Sequence, residues 1–132
     1  MTRPHLNVRN NNPLNIRFNP ANDWDGQTGE NGGFAVFKTP EYGFRAAYKL
    51  ITRYINQYGL TTLDKVVHRW APPDDDNHTQ AYIDYLAAKL DKFTWTPIFD
   101  SEIPALIYYM AEFEGAQGKF TFDQVKQGIA LA

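Results

Sequence analysis

The sequence predicts a single, mainly α-helical domain of the α+β class, with a small irregular and β-hairpin lobe ahead of about five helices. The chain has 132 residues, which is enough for one hydrophobic core and too few for two. Residues 7–40 are rich in Asn, Gly and Pro, whereas residues 41–131 carry apolar side chains at helical spacing. No repeat or linker interrupts residues 1–132, so they are predicted to form one domain.

The N-terminal lobe is predicted to consist of turns and one short hairpin. Asn and Gly tolerate left-handed backbone and Pro fixes turns, so this composition disfavours long regular elements. Phe34–Phe37 follows Gly32 and Gly33 and has the residue types of a strand. We expect its partner strand at residues 14–18.

Five helices are predicted to follow this lobe. They span residues 39–59, 61–71, 77–90, 100–115 and 121–129. Thr39 followed by Pro40 is a typical N-cap and first-turn pair, and Pro72 ends the second helix. Asn77 with Gln80, and likewise residues 121 and 124, are spaced as capping boxes for the third and fifth helices.

Composition and charge exclude several classes of function. The net charge is −2 and the isoelectric point is near 5.9, so no nucleic-acid partner is predicted. The chain has no cysteine, and His5, His68 and His78 are not paired on one helix, so no metal and no cofactor are predicted. The acidic run 74–77 favours a solvated turn over a calcium loop.

No targeting or membrane segment is predicted either. The N-terminal residues lack the apolar run of a signal peptide, and no later stretch is long and apolar enough to span a bilayer. Membrane insertion is therefore not expected.

Glu114 is the carboxylate best placed for chemistry. It extends the apolar stripe formed by Ile103, Ile107 and Met110, whereas Glu112 is rotated away from that stripe. Burial and the negative end of a helix dipole both raise a carboxyl pKa, so Glu114 is expected to keep its proton near neutral pH, as a general acid must. The alternative is a partly buried residue tied to an Arg or a Tyr.

Other carboxylates are candidates with structural alternatives. Glu41 lies in the first turn of a helix, where a negative side chain stabilises the helix N-terminus. Asp23, Asp25 and Glu30 lie in the Gly-rich loop around Trp24, where an ordinary turn is the alternative to a cleft.

Several motifs together resemble a family of small bacteriophage and prophage proteins, whose members are labelled virion structural proteins or left unnamed. The motifs are RNNNPLNIR at 9–17, WDG at 24–26, FAVF at 34–37, TPEYGFRA at 39–46, RWAPP at 69–73 and NHTQAY at 77–82. The likeness covers nearly the whole chain in order. It implies a phage or prophage origin.

A second likeness implies an activity. NPLNIR at 12–17, followed by WDG and by GFR at 43–45, is similar to the stretch after the catalytic helix of lysozyme-like glucosaminidases and lytic transglycosylases. In those families the helix precedes this stretch, whereas here the helix ending AEFEG at 111–115 follows it. The likeness therefore implies a circularly permuted lysozyme-like fold in which Glu114 is the catalytic glutamate.

The leading hypothesis is a peptidoglycan glycosidase, of the muramidase or lytic transglycosylase type, with Glu114 as general acid. Glu41, Asp25 and Glu30 are the candidates for a second carboxylate, and Asp25 together with Trp24, Trp70 and Tyr109 is predicted to line a saccharide groove. The expected partners are glycan strands and other virion proteins. We expect the protein in the virion or the host cytoplasm, acting at the cell wall.

Two alternatives remain open. One is a non-catalytic virion component or wall-binding module that keeps the fold without the chemistry. The other is a secreted antibacterial effector, which would share the mechanism and differ in delivery.

Overall fold

Within the described residues, six helices and one two-stranded antiparallel sheet make up the structure. It is a computed structural model that describes residues 5–73, 78–115 and 117–132. The elements in chain order are α1 (Leu6–Arg9), β1 (Gln27–Asn31), β2 (Phe34–Phe37), α2 (Pro40–Asn56), α3 (Leu63–Trp70), α4 (Thr79–Leu90), α5 (Ile103–Glu114) and α6 (Phe122–Ala130). The predicted class, mainly α with a small β lobe, is confirmed.

Helix α5 holds the centre of the helical part. Leu106, Ile107 and Met110 are fully buried, and the helix packs against α2, α4 and α6. A 3-10 turn, Asp100–Glu102, precedes it, so the helix predicted from residue 100 becomes regular at Ile103. Because the buried stripe runs along the whole helix, it carries Glu114 to the edge of the core.

Helix α2 forms the second long support. Phe44, Ala47 and Ile51 are fully buried along one face, and that face packs on α6 and α5. The helix ends at Asn56, three residues before the predicted end at Gly59, which takes a left-handed φ of +65°.

The β-hairpin is formed differently from the prediction. β2 pairs with β1, in the register Asn31↔Phe34 and Glu30↔Ala35, around the left-handed Gly32 and Gly33. The predicted pairing with residues 14–18 is therefore wrong as the main ladder. That segment lies along β2 through the bridge Arg17↔Phe34, but it forms no strand. The left-handed Asn15, with a φ of +53°, interrupts extended backbone there.

The Asn-rich loop, which here means residues 7–17 and starts within α1, is a buried anchor that the sequence did not predict. Asn12 is fully buried; its Nδ2 donates to the carbonyls of Ile16 (2.9 Å) and Ala35 (2.8 Å), and its Oδ1 accepts from the Ile16 N–H (2.9 Å). A Cβ on Gly43 would lie 2.5 Å from the carbonyl oxygen of Asn11. Only glycine lets α2 cross the loop this closely.

Of the two capping boxes predicted from the sequence, the described residues include the one at the start of α6. At the start of α6, the Gln124 N–H donates to Thr121 Oγ1 (3.1 Å) and the Thr121 N–H donates to Gln124 Oε1 (2.9 Å), so this capping box is confirmed. The box predicted for α4 involves Asn77, which lies outside the described residues, as does the acidic run 74–77.

No helix in the described ranges has the length and apolar character needed to cross a bilayer. The same ranges contain no cluster of three or more His, Asp or Glu side chains that could hold a metal ion.

Asn12→Ala is expected to destabilise the protein by about 3 kcal/mol, because it leaves the buried Ile16 N–H without an acceptor and opens a small cavity. For a chain of this size the melting temperature should fall by about 10 °C, measured by circular dichroism. The control is Asn56→Ala at the exposed end of α2. Equal melting of the two variants would contradict the anchoring role.

Candidate active site

A groove of about 510 Å³ opens beside the C-terminal end of α5. It is lined by residues from the segment 15–22, by α2 and by the end of α3. The lining residues are Asn15, Ile16, Arg17, Phe18, Asn19, Pro20, Asn22, Phe34, Leu50, Tyr54, Arg69, Trp70, Ala71, Pro72 and Glu114. Among these described residues, Glu114 is the only carboxylic acid.

Neutral donors hold the Glu114 carboxyl from two sides. The Tyr82 hydroxyl donates to Oε2 (3.0 Å), and Asn15 Nδ2 donates to Oε1 (3.2 Å). The same Asn15 amide also donates to the backbone carbonyl of Glu114 (3.3 Å). Glu114 makes no ion pair with any described residue. The sequence left an Arg or a Tyr as the residue that could hold Glu114. Among the described residues it is held by Tyr82 and forms no ion pair with an Arg. Its side chain also borders the groove.

Burial raises the pKa of Glu114 above its ordinary value. The hydrogen bonds of Asn15 and Tyr82, the Trp70 indole and the charge of Arg17 act in the opposite direction without cancelling this effect. Burial, reinforced by the neighbouring Glu114, raises the pKa of Tyr82 well above its ordinary value. The phenol therefore remains a donor to the Glu114 carboxyl.

Gly115 allows the end of α5 to pack closely against the side chain of Asn7. Its backbone is extended (φ −149°), and an added Cβ would overlap the side-chain amide of Asn7. That amide donates through Nδ2 to the carbonyl of Pro13 (3.0 Å). The end of α5 thus lies directly on the Asn-rich loop.

The other predicted carboxylates lie outside this groove. Glu41 is in the first turn of α2, and its backbone carbonyl lies against Gly128 of α6. Asp25 forms an ion pair with Arg45 (3.2 Å). Glu30 accepts a hydrogen bond from the Gly33 N–H (2.7 Å) at the hairpin turn. None of the three is in the groove lining.

Of the predicted rings, Trp70 lines the groove, where its ring lies edge-on to that of Tyr54 with centroids 6.3 Å apart. Trp24 is half-buried against the core. Tyr109 packs edge-on to Tyr108 on α5, with centroids 5.2 Å apart. The structure brings Trp70 and Glu114 together and places the other two rings elsewhere.

Sequence reasoning missed Asn15, Arg17, Tyr82 and Arg69. Asn15 and Arg17 lie inside the motif NPLNIR, and that motif was the signal that could have marked them. Tyr82 is on the buried face of α4, where a ring predicts core packing.

A second concavity, of about 690 Å³, lies beside the loop after α4 and includes Lys92, Phe93, Phe99 and Glu102. Burial tends to raise the pKa of Glu102, but the Lys92 ammonium at 2.8 Å and the Phe99 N–H lower it below its ordinary value. An ionised, ion-paired carboxylate has no proton to give. This concavity therefore lacks the acid that the first groove has.

Comparison with known proteins identifies a relative. The chain is 34% identical over 126 residues to protein P5 of Pseudoalteromonas phage PM2, and the match covers 92% of the chain and 78% of protein P5. The chain belongs to the family of this phage protein. The predicted resemblance to a family of phage proteins is thereby confirmed. No protein-family model matches the chain.

Glu114→Gln is expected to raise the melting temperature by a few degrees near pH 8 and to leave it unchanged near pH 3. At low pH the Glu114 carboxyl is protonated in both the folded and the unfolded protein, so its raised pKa costs no stability. As the pH rises through the unfolded-state pKa and then the folded-state pKa, the buried carboxyl destabilises the folded protein. The Tyr82 hydroxyl can accept from the new amide, so the contacts survive. An equal shift at both pH values would contradict this assignment.

Proposed function

We propose that this phage protein cleaves the glycan strands of bacterial peptidoglycan, with Glu114 as the general acid. The observation that carries the proposal is a carboxyl whose pKa is raised by burial, held by neutral donors at the wall of an open groove. General acids need this combination of a retained proton and access to substrate.

In the proposed reaction, Glu114 donates its proton to the glycosidic oxygen as the bond from that oxygen to C1 breaks. The leaving sugar departs as an alcohol, and positive charge develops at C1. The carboxylate left behind accepts hydrogen bonds from Asn15 and Tyr82, which stabilise its charge.

The groove supports a route that uses the substrate's own hydroxyl. Direct hydrolysis generally uses a second carboxylate, at about 5–5.5 Å or about 6.5–9.5 Å from the acid. Among the described lining residues there is no such group, and Asp25 and Glu30 are engaged elsewhere. We infer that the C6 hydroxyl of the same sugar attacks C1 and returns its proton to Glu114. This is the lytic transglycosylase type of reaction.

Three further observations support the proposal. Asn15 and Asn7, which belong to the segment 7–17, contact Glu114 and Gly115 at the end of α5. A permuted lysozyme-like arrangement, as proposed, requires such a contact between this segment and the end of the helix. Trp70 offers a ring on which a sugar face can stack. Membership of a phage family fits a protein carried in the virion that acts at the cell wall.

Glu114→Gln is expected to lower cell-wall cleavage by at least about a hundredfold, because the amide fits the site but cannot donate an acidic proton. The measurement is dye release from labelled peptidoglycan. Glu112→Gln, on the same helix and outside the groove, is the matched control, and Glu41→Gln tests the second-carboxylate hypothesis. Both are expected to keep activity. Full activity of Glu114→Gln would end the proposal, and an inactive wild type would favour a wall-binding module.

The products are expected to carry anhydro ends and no free reducing ends, since the C6 hydroxyl replaces water. Mass spectrometry after borohydride treatment distinguishes anhydro ends from free reducing ends, because borohydride reduces only the reducing ends and so changes their mass. A muramidase that releases reducing ends serves as the control digest. Reducing ends from this protein would show that a second carboxylate or a bound water completes the reaction.

A further inference from the structure

Two arginines line the same groove as Glu114. Arg17 is the last residue of the Asn-rich loop, residues 7–17, and Arg69 lies in the last turn of α3. Neither forms an ion pair with a described residue; the ion pairs found there involve Arg45, Lys92 and Lys126.

Aromatic rings orient both guanidinium groups without neutralising them. The Arg17 guanidinium carbon lies 5.4 Å from the centroid of the Phe34 ring. The Arg69 guanidinium carbon lies 5.5 Å from the centroid of Tyr54 and 5.3 Å from that of Tyr58. Cation–π contacts fix the plane of a guanidinium and leave its N–H groups able to bind an anion.

Cationic groups outnumber acidic ones among the described lining residues of the groove. The whole protein carries −2, whereas that lining includes two guanidinium groups and one carboxyl, Glu114, whose pKa is raised by burial. This excess of cationic groups favours an anionic ligand. Two arginines on a net negative chain do not fit the many phosphates of a nucleic-acid backbone.

We propose that Arg17 and Arg69 bind carboxylates of the glycan substrate, so that the groove selects acidic strands over neutral ones. This inference rests on the proposed function. A guanidinium binds a carboxylate through two parallel N–H···O bonds, which no neutral chitin-type strand can provide. In intact peptidoglycan the lactyl carboxyl is amide-linked to the peptide, so the free carboxylates are those of the peptide. An amidase removes that peptide and frees the lactyl carboxylate, which offers a guanidinium the same chemistry.

The test is co-sedimentation of the full chain with three insoluble polymers: intact peptidoglycan, peptidoglycan stripped of peptides by an amidase, and chitin. Binding is measured in the Glu114→Gln background so that nothing is cut. We expect at least about tenfold tighter binding to intact peptidoglycan than to chitin, weakened by about 0.5 M salt. Retained binding to stripped strands would show that the arginines also accept the freed lactyl carboxylate, and lost binding would assign recognition to the peptide carboxylates alone.

Arg17→Gln with Arg69→Gln should reduce binding to intact peptidoglycan to the chitin level. Lys119→Gln with Lys126→Gln removes the same charge outside the groove and should bind as the parent does. Circular dichroism checks that the double variant folds. If it does not, Arg69→Lys replaces it as the test. This variant keeps the charge and loses the planar fork, so we expect its affinity to lie between those for intact peptidoglycan and for chitin.

The two proposals fail separately. Equal binding of the parent to peptidoglycan and chitin, or unchanged binding of the double arginine variant, overturns the selection of acidic strands while wild-type cleavage can still stand. Selective binding by a wild type that cuts nothing overturns the glycosidase and leaves the selectivity intact.

Discussion

The contact between the Asn-rich loop and the end of α5 is the constraint on which the site depends. One amide, Asn15 Nδ2, donates to both the side chain and the backbone carbonyl of Glu114, across 99 positions of sequence. Gly115 lets the chain press against Asn7 at the same place. Without this contact the last turn of α5 would lie open to water, and the carboxyl would lose the burial that sets its pKa.

The raised pKa of Glu114 depends on its hydrogen-bond donors, Asn15 and Tyr82, being neutral. An ion pair with an arginine would hold the carboxyl in its charged form, as Lys92 does for Glu102. Asn15 and Tyr82 instead fix the orientation of Glu114 and leave burial as the largest influence on its pKa. The arginines of the groove lie over aromatic rings, and neither forms an ion pair with a described residue.

Local pattern explains what the sequence could predict. The spacing of Ile103, Ile107 and Met110 places Glu114 at the end of a buried stripe, and the capping pair at α6 lies within a single turn. Pairings between distant segments leave no such local signal. The partner of β2 was misassigned because two neighbouring segments both reach it, and Arg69 was overlooked because its role depends on Tyr54 of another helix.

The geometry also bears on chain order. The bonds from Asn15 and the packing of Asn7 join α5 to the loop through space, so a covalent link at that point is not needed to build the corner. A helix that follows the loop in sequence can therefore present its last carboxyl beside that loop as well as a helix that precedes it. The proposed site depends on residues 7–17 and 114–115 together.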